Sequence, residues 1–236
     1  MKSFIIENEF WALFPQAQIG VVVCKNIDNH IKDSGQYAEL LEKAQEEAKA
    51  YFTKEEFSSN EVIAVWREAF QKFKTKKGAR ASIEALLKRV HNGNGLGTIN
   101  PLVDIYNTLS LRYALPCGGE DIDCFEGDIR LTRAAGDEAF LPLGSEENAP
   151  PYEGEVVYKD NAGAICRCWN WREAQRTMLT ESTQNAFLCV ELVDESRKEQ
   201  LVSALNELAE LVPKHLGGTA EIFLLDKEHS QIQISE

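Results

Sequence analysis

Apolar positions change their spacing about halfway along this chain, and the change predicts an architecture. Residues 4–6 (FII) and 19–24 (IGVVVC) come first, and the second run is unbroken and β-branched, as a strand buried on both faces requires. Helical spacing follows. One helix is predicted over 36–52, with Leu40, Leu41, Ala44, Ala48 and Tyr51 on one face. A second starts at Asn60, a good N-cap, and its Val62, Ile63, Trp66, Ala69, Phe70 and Phe73 share a stripe. A third spans 82–90. Glycine-rich residues 91–97 (HNGNGLG) then lead to Asn100-Pro101, a cap followed by proline that opens a helix through Leu111.

From about Gly118 the pattern is β-like. Strands are predicted over 128–131, 139–143, 155–158, 164–171 and 186–193, and Asp160-Asn161-Ala162-Gly163 reads as a hairpin turn. A last helix over 196–212 ends near Gly217-Gly218, and 220–225 is a final strand. Helices first and strands later argue for an α+β fold, a single domain with mixed β-sheets packed by helices. The expected division is an N-terminal flanking α/β segment, 1–60, and a main body, 61–236.

With 236 residues, 44% apolar and 27% charged, the chain can bury a sizeable core and is not a disordered or fibrous sequence. No run approaches the ~18 apolar residues of a membrane helix, and MKSFIIENEF carries acids where a signal peptide needs a basic start. The expectation is a cytoplasmic protein with no membrane partner, and its six cysteines are expected to be reduced thiols.

Charge changes the picture. A net charge of −13 repels bulk nucleic acid, so DNA is not an expected partner. The charge is uneven, however. Between Trp66 and His91, only Glu68 and Glu84 oppose Arg67, Lys72, Lys74, Lys76, Lys77, Arg80, Lys88 and Arg89. Such an island can hold a phosphate backbone or can be a solvated helical edge.

The motifs that carry familiar chemistry are weak. HNGNGLG lies between two helices and lacks the Gly-Lys-Ser/Thr ending of a phosphate loop, so it reads as a connector. Cys166 and Cys168 would share a strand face, but no second pair has zinc-ligand spacing, and no metal or other cofactor is expected. Two constellations stand out. Trp169-Asn170-Trp171-Arg172, followed by Arg176, puts indoles, an amide and guanidiniums at the end of a strand, either as core with paired arginines or as a pocket that grips a carboxylate or phosphate. Asn100, Asp104 and Asn107 form a polar helix stripe, either satisfied buried groups or a pocket wall.

The run TINPLVDIYN (98–107), then Leu115-Pro116, then Phe125-Glu126-Gly127-Asp128-Ile129, then Thr183-Gln184-Asn185 resembles the tRNA-editing domain of the bacterial phenylalanyl-tRNA synthetase beta chain, its paired B-three/B-four domain. The Trp-Asn-Trp-Arg stretch resembles freestanding versions of that domain. The likeness covers about 66–193. It implies tRNA or aminoacyl-tRNA as partner, and either a trans-editing deacylase, an ester hydrolase, or a binding module. A pocket that binds a free amino acid or similar metabolite without hydrolysis is the alternative, and a protein-interaction module is a third class.

By the same likeness the family's pocket asparagine falls on Asn107, its pocket histidine on Gly118, and its tyrosine-recognising glutamate on Cys189, with Glu191 on the same strand face as a substitute. The substrate-binding candidates are therefore Asn107, Gly118, Trp169, Trp171, Arg172, Arg176 and Glu191. The RNA-binding candidates are Lys72, Lys74, Lys76, Lys77 and Arg80. No catalytic nucleophile is identified, and tyrosine specificity does not carry over.

Overall fold

The unbroken apolar run at 19–24 is β2 (Gln18–Lys25), and its neighbours explain it. In the computed structural model, which describes residues 1–235, β2 lies inside a four-stranded antiparallel sheet. The order is β3-β8-β2-β9, with β3 at Cys117–Asp121, β8 at Ala186–Leu192 and β9 at Thr219–Leu225. Both faces of this sheet are covered. Ile19, Val21 and Val23 enter one core, while Val22 and Cys24 enter another. Strand β8 divides likewise, with Phe187 and Cys189 on one side and Leu188, Val190 and Leu192 on the other.

On the second of these faces the sheet packs against α5 (Pro101–Tyr113) and α6 (Lys198–Leu216), with α2 (Ser34–Ala48) lying on α5. Gly20 permits the close approach of α6, since a Cβ there would meet Leu205 Cδ1 at 2.5 Å. On the first face lies a six-stranded sheet of order β10-β1-β4-β5-β6-β7. Its strands are β1 (Lys2–Ile6), β4 (Ile129–Arg133), β5 (Val156–Asp160), β6 (Gly163–Arg167), β7 (Arg172–Glu173) and β10 (Gln231–Ser235). Strands β1 and β4 are parallel and the other pairs antiparallel. The sheets meet where Phe4 and Phe187 stack edge to face, centroids 5.0 Å apart. Helices α1 (Asn8–Leu13), α3 (Glu61–Phe70) and α4 (Ser82–His91) add Phe10, Trp66 and Leu87 to the same core.

The fold is thus α+β, one domain of two sheets packed by helices. Residues before Lys25 supply an inner strand to each sheet, and β9 and β10 supply an edge to each. No helix among the described residues is long and apolar enough to cross a membrane.

Several local expectations are corrected. Residues 139–143 form no strand; only Pro142 makes an isolated bridge, to Ala174. Proline cannot donate to a ladder, and the left-handed glycines at 136 and 144 bend the chain at either end. The strand expected through 171 stops at Arg167, because Cys168 and Trp169 are left-handed, with φ of 47° and 64°. Cys166 and Cys168 therefore do not alternate on one face, and neither do Trp169 and Trp171. Asn100 caps α5 by accepting from Val103 N–H at 3.2 Å. Asn60 stands at the N-cap of α3, but its Oδ1 accepts from Thr53 and Lys54 N–H instead.

Trp169 is the fully buried hub of this arrangement. Its ring lies 4.9 Å from Phe10, 4.6 Å from Phe14 and 4.9 Å from Trp66. These packed rings fasten α1 and α3 to the turn after β6. Trp169→Ala should therefore destabilise the fold by about 3–5 kcal/mol, read as a lower denaturant midpoint, while Trp171→Ala should cost far less because that indole is half-buried.

Candidate functional site

A cavity of about 430 Å³ opens between the two sheets. Its depth is built by Cys117 to Glu120 of β3, Tyr158 of β5, Cys166 of β6, and the alternate residues Phe187, Cys189 and Glu191 of β8. Its rim is more exposed and comes from Ser82, Ala85 and Leu86 of α4, Asn107 of α5, and Trp171 and Arg172. At Gly119 a Cβ would meet Leu179 Cδ1 and Leu188 Cδ2 at 2.7 Å, so any side chain there would force those leucines to move. At Gly118 a Cβ would meet only ordinary neighbours, Glu173 Oε1 at 3.5 Å and Cys189 Sγ at 3.6 Å.

Three carboxyls line this space, in different circumstances. Glu191 accepts from the Tyr158 hydroxyl, from Trp169 Nε1 at 2.8 Å and from Asn170 Nδ2 at 2.5 Å. Burial still outweighs those donors and pushes its pKa up to about 7. Glu173 receives the Gly119 N–H and is also pushed up to about 7 by burial. Burial, then the charge of Glu173, raises Glu120 well above the usual carboxylate range, and the nearby Thr177 hydroxyl only tempers the rise. Glu120 Oε2 and that buried hydroxyl do not complete a hydrogen bond, and neither has another partner among the described residues.

The thiols of Cys117, Cys166 and Cys189 are raised by burial, so none supplies a ready thiolate at neutral pH. Among the described residues, no group of three or more His, Cys, Asp or Glu side chains is placed to hold a metal ion.

Of the candidates from the sequence, Asn107, Gly118, Trp169, Trp171, Arg172 and Glu191 come together at this cavity. Arg176 does not line it. Its guanidinium forms a two-bond pair with Asp160, at 2.7 and 3.0 Å, and also reaches the Cys124 carbonyl. The polar stripe on α5 answers to both descriptions offered for it: Asn100 and Asp104 are buried and bonded, and Asn107 is a pocket wall whose amide has no partner among the described residues.

The basic candidates lie together in the segment that leads into α4. Lys72 sits 5.4 Å over the Phe14 ring and Lys74 5.7 Å over Tyr152. Lys76 and Lys77 are exposed, and Arg80 shares a shallow hollow with Lys88 and with Arg67, which is paired to Glu84 at 2.7 Å. The HNGNGLG connector packs on α2 through Leu96 N–H and Gln45 Oε1 at 2.8 Å.

Sequence patterning missed Glu120 and Glu173. Each sits in a stretch without apolar alternation: CGGED (117–121) is a strand made of glycines and acids, and β7 has two residues. Neither carries the period-two signal by which a strand is recognised.

The B3/4 domain model matches residues 65–217. Among solved structures the chain is similar to an N-terminal fragment of the phenylalanyl-tRNA synthetase beta-subunit from Pyrococcus horikoshii, at 11% identity and a TM-score of 0.43, covering 95% of this chain and 53% of that one. The chain thus spans about half the length of that fragment. No curated protein matches it.

The carboxyl chemistry sets a pH dependence. Glu173 and Glu191 titrate near 7 in the fold against an ordinary 4.5, so the folded chain holds their protons more tightly than the unfolded one. Their contribution is complete below about pH 4.5 and is lost as pH rises through about 7. The melting temperature should fall between pH 5 and 7.5, and Glu191→Gln should flatten that fall; a wild-type curve that rises across the window would contradict the assignment.

Proposed function

The chain belongs to the B3/4 domain family, and from that premise we propose that it binds tRNA carrying an amino acid and hydrolyses the ester that joins them. The observation that carries the reading is the adjacency of two features. The segment bearing Lys72, Lys74, Lys76, Lys77 and Arg80 runs directly into α4, and α4 supplies the rim of the cavity. Phosphates held on the island would bring a 3′ end to an opening of amino-acid size.

An aminoacyl ester is already activated, so its cleavage asks for an oriented water and donors to the developing oxyanion rather than a protein nucleophile. The unpartnered Asn107 amide at the rim is the donor, and Arg172, over the Trp171 ring at 5.1 Å, is the cation for the terminal ribose-phosphate. Glu191 is held by its three donors and shapes the depth of the pocket. The raised thiols fit a water-based route.

Deacylation of a panel of mischarged tRNAs tests this. Release of one amino acid is expected, slowed about 10²-fold by Asn107→Ala and measurably by Arg172→Ala. Silence across the panel, with binding of free amino acids in calorimetry, would favour the metabolite-binding alternative that the net charge of −13 suggests.

The island makes a separate prediction. Changing Lys72, Lys74, Lys76, Lys77 and Arg80 to Gln should weaken tRNA binding and reduce the slope of log affinity against log salt by ~0.7–0.9 for each phosphate that is no longer neutralised. An unchanged slope would remove the island from the interface.

A further inference from the structure

Glu120 is the cavity group that ester hydrolysis leaves without a task. Its side chain is buried, only 6% exposed, lines the cavity, and keeps Oε2 without a hydrogen-bond partner. Glu173 lines the same space from the facing sheet and is the charge that bears most heavily on Glu120. Glu191 differs, because three donors already occupy it. Among the described residues, no cation is paired with Glu120 or Glu173. The one basic side chain among those lining the cavity is Arg172, which is exposed at the rim. Arg176, whose charge reaches Glu120, is committed to Asp160 by bonds of 2.7 and 3.0 Å. A buried carboxyl with an open acceptor, beside a second, half-buried one, costs free energy unless something binds there.

We propose that Glu120 and Glu173 form a subsite for a primary ammonium on the ligand's side chain, so that the amino acid read by this cavity is a lysine-like base. The inference rests on the reading of the site as an aminoacyl pocket. Polynucleotide cannot enter 430 Å³, so the ester and α-carbon stay near the rim with Asn107 and Arg172, and the side chain points to depth, where Glu120 lies. An ammonium brings three donors and no acceptor, which two carboxyls can share without leaving a donor unmet. A hydroxyl would satisfy one acceptor and bring no charge to offset the second carboxyl. Burial and mutual repulsion keep the empty pair partly protonated near neutrality, so entry of the cation releases protons to the buffer.

The test is calorimetry on the full chain with L-lysine methyl ester and L-norleucine methyl ester. The two share the α-ammonium, the ester and a four-carbon side chain, and differ in the ε-ammonium. The lysine ester should bind at least about tenfold more tightly, with heat that depends on the buffer's ionisation enthalpy. Glu120→Gln, checked for folding by circular dichroism, should cut that preference below about threefold, and Glu173→Gln serves if the first variant does not fold. Equal or tighter binding of the norleucine ester to the unmodified chain would overturn the proposal and assign recognition to the α-ammonium or to apolar packing. Filter binding of tRNA in parallel separates the two readings. Lysine preference without tRNA binding keeps the subsite and removes the tRNA function, whereas tRNA binding without lysine preference does the reverse.

Discussion

The Glu191 carboxylate ties the two sheets together. It projects from β8 of the four-stranded sheet and takes hydrogen bonds from Tyr158 of β5, in the six-stranded sheet, and from Trp169 and Asn170 in the turn after β6. Burial raises this carboxyl, and the three donors around it, each costly to leave alone, temper the rise. The arrangement also fixes the turn. Trp169 holds a left-handed φ of 64°, which an indole adopts only when its surroundings demand it, and here the demand comes from Glu191 on one side and a shell of aromatic rings on the other. The bonds of Glu191 span the gap between the sheets beside the cavity.

The division of charge follows the same geography. Acidic residues outnumber basic ones in the chain and line the cavity, while the basic residues from Arg67 to Arg89 are concentrated in the segment that holds α3 and α4. Helix α4 belongs to both regions: its amphipathic face supplies Ile83 and Leu87 to the core, its first turn reaches the cavity, and its last turn carries Lys88 and Arg89.

What the sequence disclosed depended on whether a residue took part in a periodic pattern. Helices α2 to α6 and strands β2 and β8 announced themselves, since each buries a regular set of side chains. The alternation in β8 even put Cys189 and Glu191 on the correct common face. Trp169 and Trp171 were visible as residues but not as geometry, because a left-handed pair at 168–169 breaks the alternation from which their faces were inferred. Arg176 looked like a pocket cation until tertiary structure delivered Asp160 to it, a partner that sixteen residues of separation conceal. Glu120 and Glu173 had no pattern at all, being placed by the pairing of β3 with β8 and of β7 with β6.

Strands β1 and β2 hold inner positions in the two sheets, and each pairs with a strand from the far end of the chain: Lys2 with Ser235, and Gly20 with both Val190 and Leu224. During synthesis, then, IGVVVC must wait, unpaired, through more than 160 further residues before either of its ladder partners exists. Neither sheet is complete until the strands at 219–225 and 231–235 have been made, so the growing chain offers an aggregation-prone strand to its surroundings until then. The acidic residues that follow soon after, from Asp28 through the Glu-rich α2, would keep such an intermediate dispersed while it waits.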